Sequence, residues 1–218
     1  MRILLLSLFL AAAGASAQRV ANTTLALPPT PPAAGTNGYT AVNAFGSLTF
    51  TTPLALAVPP GETNRLFVVE RSGVIAVVTN LASPTRSVFM NIGSRISLTG
   101  EGGLLALAFH PHFASNGHFF VWYTAAGTGF SNRLSRFTVS ATNWNQGNTN
   151  SEVVLFGQHD DCPNHNGGDL KFGADGYLYV SLGDEGDSND RCGTNSQNLA
   201  KHFFSGVLRL DVDQRPGS

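Results

Sequence analysis

NHNGGDLKFGADGYLYVSLGDEG, residues 164–186, carries two short alternating apolar runs joined by Ala174-Asp175-Gly176. Alternation with period two puts successive side chains on opposite faces of a strand, and Asp-Gly between such runs is the chemistry of a tight β-hairpin. The stretch therefore predicts strand, turn, strand. It also sets His165 in a glycine-rich turn before the first strand and Asp184 just after the second. A hairpin returns the chain on itself, so imidazole and carboxylate are expected to meet. A carboxylate in that place orients a histidine and fixes its tautomer.

The same unit recurs upstream. Residues 54–58 lead through Pro-Pro-Gly to 64–69, residues 104–109 lead through His-Pro-His to 116–121, and residues 169–172 lead to 175–180. Asn64, Asn116 and Asp175 hold the same turn position, at spacings of 52 and 59 residues. Continuations at 72–78, 132–139 and 206–212 supply outer strands. Units of three or four short antiparallel strands, repeated at this length, predict an all-β fold of the β-propeller type. A β-sandwich is the alternative, but its strands recur at shorter intervals. Gly 24 and Phe 15, with few runs of helical period, agree with a turn-rich all-β chain.

The first 17 residues read as a signal peptide: Arg2, an apolar run, then Ala15-Ser16-Ala17 before Gln18. Residues 18–45, with the prolines of 28–32, read as a flexible lead-in, and 46–218 as a partial propeller domain. No other run is long and apolar enough for a membrane span, so a secreted or periplasmic location is expected. In an oxidising compartment Cys162 and Cys192, which flank the opening motif, favour a disulfide. Two free thiols are the alternative, and two cysteines alone do not make a metal site. A net charge of −1 with 12% charged residues offers no basic stripe for nucleic acid and no polybasic membrane anchor.

GEGGLLALAFHPHF (100–113), NGHFFVWYT (116–124), the opening stretch and FFSGVLRLDVD (203–213) resemble the soluble, pyrroloquinoline-quinone (PQQ)-dependent glucose/sorbosone dehydrogenases, a six-bladed β-propeller family. The resemblance runs from about residue 50 onward. It implies an oxidoreductase that takes an aldose at its anomeric carbon, with hydride passing to PQQ. By position it makes His165 the general base, Asp184 the carboxylate that holds it, Glu101 a residue near the cofactor and Asn164 a contact to sugar. Members often have an acid where Asn164 stands, which leaves the preferred sugar open, as is the electron acceptor. The basic grip on the quinone carboxylates and the ligands of its calcium ion belong, in that family, to later blades. The chain is thus expected to cover three to four blades, an N-terminal half.

A propeller that binds carbohydrate or protein without catalysis is the competing reading, since one fold serves both. A calcium-dependent lactone hydrolase is a third, with no carboxylate cluster to support it. His110-Pro111-His112 reads as a strand exit rather than a metal site, and Asp184, Glu185, Asp187 and Asp190 as a solvated acidic loop without EF-hand spacing. Phe119, Phe120, Trp122 and Tyr123 read as packing between blades.

Overall fold

The computed structural model describes residues 42–127, 130–193, 195, 196, 198 and 202–214. The expected signal peptide and most of the expected lead-in lie outside the described residues. From residue 53 the chain builds antiparallel meanders. The first holds β1 (Pro53–Ala57), β2 (Arg65–Glu70), β3 (Val74–Thr79) and β4 (Thr85–Asn91), hydrogen-bonded in that order. The second holds β5 (Leu104–Phe109), β6 (His118–Ala125), β7 (Ser131–Val139) and β8 (Gly147–His159), with one helical turn, α1 (Phe113–Asn116), between β5 and β6. The third pairs β9 (Leu170–Phe172), β10 (Leu178–Ser181) and β11 (Val207–Leu210), with β10 central. These are three consecutive blades of a partial propeller.

Period two along β6 explains why the blades stack. Phe119, Val121 and Tyr123 enter the core shared with the first blade, alongside Phe67, Val69, Ile75 and Val77. Their neighbours Phe120 and Trp122 enter the core shared with the third blade, alongside Leu170, Leu178 and Val180. One strand therefore glues two interfaces, and all five side chains are buried. Small residues make the room: Ala108 pairs with Phe120 and Ala106 with Trp122 across the β5–β6 ladder. Between the first two blades the rings pack edge to face, with Phe67 at 4.9 Å from Phe89 and 4.7 Å from Phe109, and Phe89 at 5.0 Å from Phe119. Each such pair adds about 0.5–1.5 kcal/mol beyond burial.

The repeated turn position has a repeated role at two of its three sites. Asn116 Oδ1 accepts from the His118 N–H at 2.9 Å, and Asp175 Oδ1 from the Tyr177 N–H at 3.2 Å, local turns that open β6 and lead into β10. Asn64 Oδ1 instead accepts from the Leu81 N–H, tying β2 to the turn after β3. On the far face of the first blade, Val68, Ala76 and Val78 are covered by Phe45, Leu48 and Phe50. Phe45, at the end of the expected lead-in, is thus packed on the domain.

Candidate active site

Connections at one end of the blades meet around His165: residues 99–103 before β5, 160–169 before β9, and 182–187 after β10. Glycines permit the approach. A Cβ on Gly183 would stand 1.6 Å from the His165 carbonyl oxygen, and one on Gly167 would stand 2.5 Å from the Gly183 nitrogen. Gly168 lies flat against the Trp122 indole, where a Cβ would meet Cδ1 at 1.9 Å. Gly168 N–H donates to the Ser181 carbonyl at 2.7 Å, which docks the turn on β10.

His165 has a left-handed backbone, φ 55°. Such a conformation costs a non-glycine residue about 1–2 kcal/mol and persists only where surroundings impose it. Here the His165 N–H donates to Glu101 Oε2 at 2.8 Å, while the Glu101 N–H donates to the Pro163 carbonyl at 2.7 Å. Glu101, assigned to the cofactor by resemblance, is in this structure a brace for the histidine backbone.

The His165 Nδ1 to Asp184 Oδ1 distance is 2.8 Å. An ionised carboxylate only accepts, so Nδ1 is the donor, which in the neutral ring leaves Nε2 with its lone pair. Nε2 has no hydrogen-bond partner among the described residues, and the side chain is 42% exposed. The arrangement holds one imidazole nitrogen and leaves the other open to a ligand, able in the neutral ring to take a proton from a hydroxyl placed at Nε2. Asn164 Oδ1 accepts from the Asp187 N–H at 3.3 Å and so latches this loop to the turn after β10. Cys162 and Cys192 form a disulfide that closes a separation of 30 residues around the whole motif.

Beneath the loop is a polar layer that the sequence did not disclose. Asp160 is 1% exposed; its Oδ2 accepts from Asn132 Nδ2 at 2.6 Å and Asn166 Nδ2 at 3.2 Å, and its Oδ1 from the Cys162 N–H at 3.1 Å. Burial pushes this carboxyl up to about 6, with Glu185 adding to the rise and the three hydrogen bonds opposing it. Glu185 is 6% exposed, accepting from the Asp161 N–H at 3.2 Å and from the amide of Asn195. The expected solvated acidic loop is thereby corrected: Asn195 and the 160–162 backbone fold over Glu185, and only part of the run faces water. The sole hint in the sequence was an acid two residues ahead of a disulfide cysteine.

Of the other histidines, His110 is buried; Nδ1 accepts from the His112 N–H and from Asn116 Nδ2, so Nε2–H donates to Asp213 at 2.9 Å. Its work is to join the β5–β6 turn to the segment after β11. Among the described residues no three His, Cys, Asp or Glu side chains group as a metal site.

A family model described as glucose/sorbosone dehydrogenase matches residues 50–216. The mouse Hedgehog-interacting protein is 32% identical over 169 residues, covering 72% of this chain and 24% of that protein. Among solved structures, the PQQ-bound form of aldose sugar dehydrogenase from Streptomyces coelicolor shares 28% identity with a TM-score of 0.63, covering 78% of this chain and 48% of that one. The soluble aldose sugar dehydrogenase of Escherichia coli, at 21% identity and TM-score 0.60, shares the fold. The chain spans about a quarter of the length of the mouse protein and about half of the Streptomyces one.

Proposed function

The chain belongs to the glucose/sorbosone dehydrogenase family, and from that membership we propose that it furnishes the proton-accepting half of a sugar-oxidising site. The observation that carries this reading is the His165 Nδ1–Asp184 contact with Nε2 open. An aldose set with its anomeric hydroxyl at Nε2 gives up that proton to His165, and Asp184 holds the ring and stabilises the imidazolium that forms. PQQ, when bound, supplies the acceptor for the anomeric hydrogen and its electron pair. Loss of both hydrogens leaves a lactone, and the proton on His165 passes to water.

The residues fit the base and do not fit the cofactor's grip. Among the described residues of the connections around His165 the charged side chains include Glu101, Asp184, Glu185 and Asp187, with Arg71 engaged by the carbonyls of Leu98, Gly100 and Gly102 beside Glu101 and Arg191 by Ser188 and Asp187. Both guanidinium groups are already hydrogen-bonded within the chain, which leaves a tricarboxylate quinone without an unengaged one among the described residues of these connections. The steps assigned to this chain therefore stop at the proton, and quinone and calcium are assigned to the protein at large. The disulfide supports a secreted or periplasmic setting. The test is aldose oxidation by the full-length protein with PQQ, calcium and an artificial electron acceptor. His165→Ala should remove most turnover, and unchanged turnover would end the assignment.

A second reading is favoured by one observation, the 32% identity to a protein named for its interaction with Hedgehog. On that reading the same loops bind a protein or carbohydrate surface without chemistry. Titration with PQQ separates the two: binding of the full-length protein at micromolar or lower concentration supports the dehydrogenase, and no binding supports the interaction module.

A further inference from the structure

We propose that Arg71, on the β2–β3 turn of the first blade, is a positioning residue for His165 in the third, acting through residues 98–102 and Glu101. Its guanidinium gathers three carbonyls of that connection: Nε donates to Gly102 at 2.8 Å, and Nη2 to Leu98 at 3.1 Å and to Gly100. Among the described residues the Leu98 and Gly100 carbonyls accept from no other group. Nε and Nη2 belong to one rigid planar fork, so the three carbonyls are held in fixed relation to one another. Hydrogen bonds from an ionised donor are also the stronger kind. The arginine backbone is itself fixed, its N–H donating to the Thr52 carbonyl at 3.0 Å and its carbonyl accepting from the Leu104 N–H at 2.9 Å.

The same connection bears the brace of the histidine. Glu101 N–H donates to the Pro163 carbonyl at 2.7 Å, and Glu101 Oε2 accepts from the His165 N–H at 2.8 Å. Two glycines let the layers close: a Cβ on Gly103 would stand 2.6 Å from the Arg71 Cγ, and one on Gly100 would stand 2.1 Å from the Pro163 carbonyl oxygen. The ends of the connection have a separate anchor in Thr124, whose Oγ1 donates to the Ser97 carbonyl at 2.7 Å and accepts from the Gly103 N–H at 2.7 Å. Its centre is held between Arg71 and the His165 loop. Without the guanidinium, the Leu98 and Gly100 carbonyls lose their donor and the Glu101 carboxylate loses its fixed place. The left-handed His165 backbone then loses an acceptor that helps impose it. A misplacement of about 1 Å at a reacting group can cost about 10²-fold in rate.

The effect on turnover rests on the dehydrogenase reading, and the coupling of Arg71 to His165 does not. Amide hydrogen exchange by NMR in the full-length protein, without sugar or quinone, reads the coupling. In Arg71→Met the His165 N–H should exchange about tenfold faster or more, with Val121 in β6 within about threefold of the parent; a His165 rate within threefold of the parent overturns the coupling. With aldose, PQQ, calcium and an artificial acceptor, Arg71→Met should lower kcat about tenfold or more with KM for the sugar within about threefold, a split that loss of folded protein does not produce together with the exchange pattern. Glu101→Ala should do the same, and the double variant should fall no more than about threefold below the lower single one, since both act on one route. Losses that multiply overturn that route. If the parent itself shows no turnover, the dehydrogenase reading fails and the exchange result alone supports or overturns the coupling. Should Arg71→Met not fold, Arg71→Lys, which keeps the charge but not the fork, is judged by the same criteria.

Discussion

His165 pays for its place with a left-handed backbone, and the groups that impose this are separable from the one that tunes its ring. Gly183 packs on its carbonyl, Glu101 holds its N–H, and Asp184 holds Nδ1. Gly183→Ala puts a methyl into the His165 carbonyl oxygen, a clash expected to cost about 1–3 kcal/mol and measurable as a lower Tm with loss of turnover. Asp184→Asn keeps the fold but removes the carboxylate, so turnover should fall about 10²–10⁴-fold with quinone affinity unchanged. Asp160 gives a pH signature. Its folded pKa of about 6 lies above the ordinary 3.8, so the folded state binds more protons between those values and stability falls as pH rises through that window. The melting temperature of the parent relative to Asp160→Asn should therefore decline from pH 4 to 6 and level off above, and a rise over that range would contradict a raised carboxyl at this position. His165 and Asp184 were legible because turn chemistry and spacing announce a returning chain. Asp160 and its amides were not, because Asn132 and Asn195 come from distant segments and meet only through the packing of β7 and the disulfide-closed loop.

Elements were legible where they alternate or run apolar and obscure where they sit at a blade's rim. The inner strands were found in their repeat, with Ala174-Asp175-Gly176 closing β9 onto β10 as expected. β4 and β8 fall outside the repeat that the sequence shows. β8 begins Gly-Asn-Thr-Asn-Ser-Glu and is largely exposed along one edge of its sheet, so its hydrogen bonds to β7 rather than its hydrophobicity define it. β6 is the opposite case, apolar on both faces because each face meets another blade. Trp122→Ala should cost about 3–5 kcal/mol and loosen the Gly168 contact, so hydrogen exchange should rise in 164–172 as well as in β6. Reducing Cys162–Cys192, which closes 30 residues, should cost about 3–4 kcal/mol in the chain-entropy account, with the gain in exchange confined to the loops around His165.

At the scale of the molecule, three blades stack into two shared cores, and the first blade leaves an apolar face beyond Phe45 and Phe50. Leu54, Leu56 and Val88 are exposed on this blade, and Phe45, Phe50, Leu54 and Leu56 line an open groove. Exposed apolar surface beside sheet edges favours association. Light scattering of this chain alone should show mass rising with concentration, and a monodisperse monomer would contradict it. The repeat and its spacing made the blades readable in the sequence. The division of labour was less so, because a base is a property of two neighbouring side chains, whereas a cofactor grip draws on groups spread around a ring. The central claim is that His165 takes the sugar's proton. Single-turnover reduction of PQQ by an aldose, followed by quinone absorbance in the full-length protein, tests it most directly. His165→Ala should slow that step at least 100-fold without weakening quinone binding, and an unchanged rate in the variant would contradict the claim.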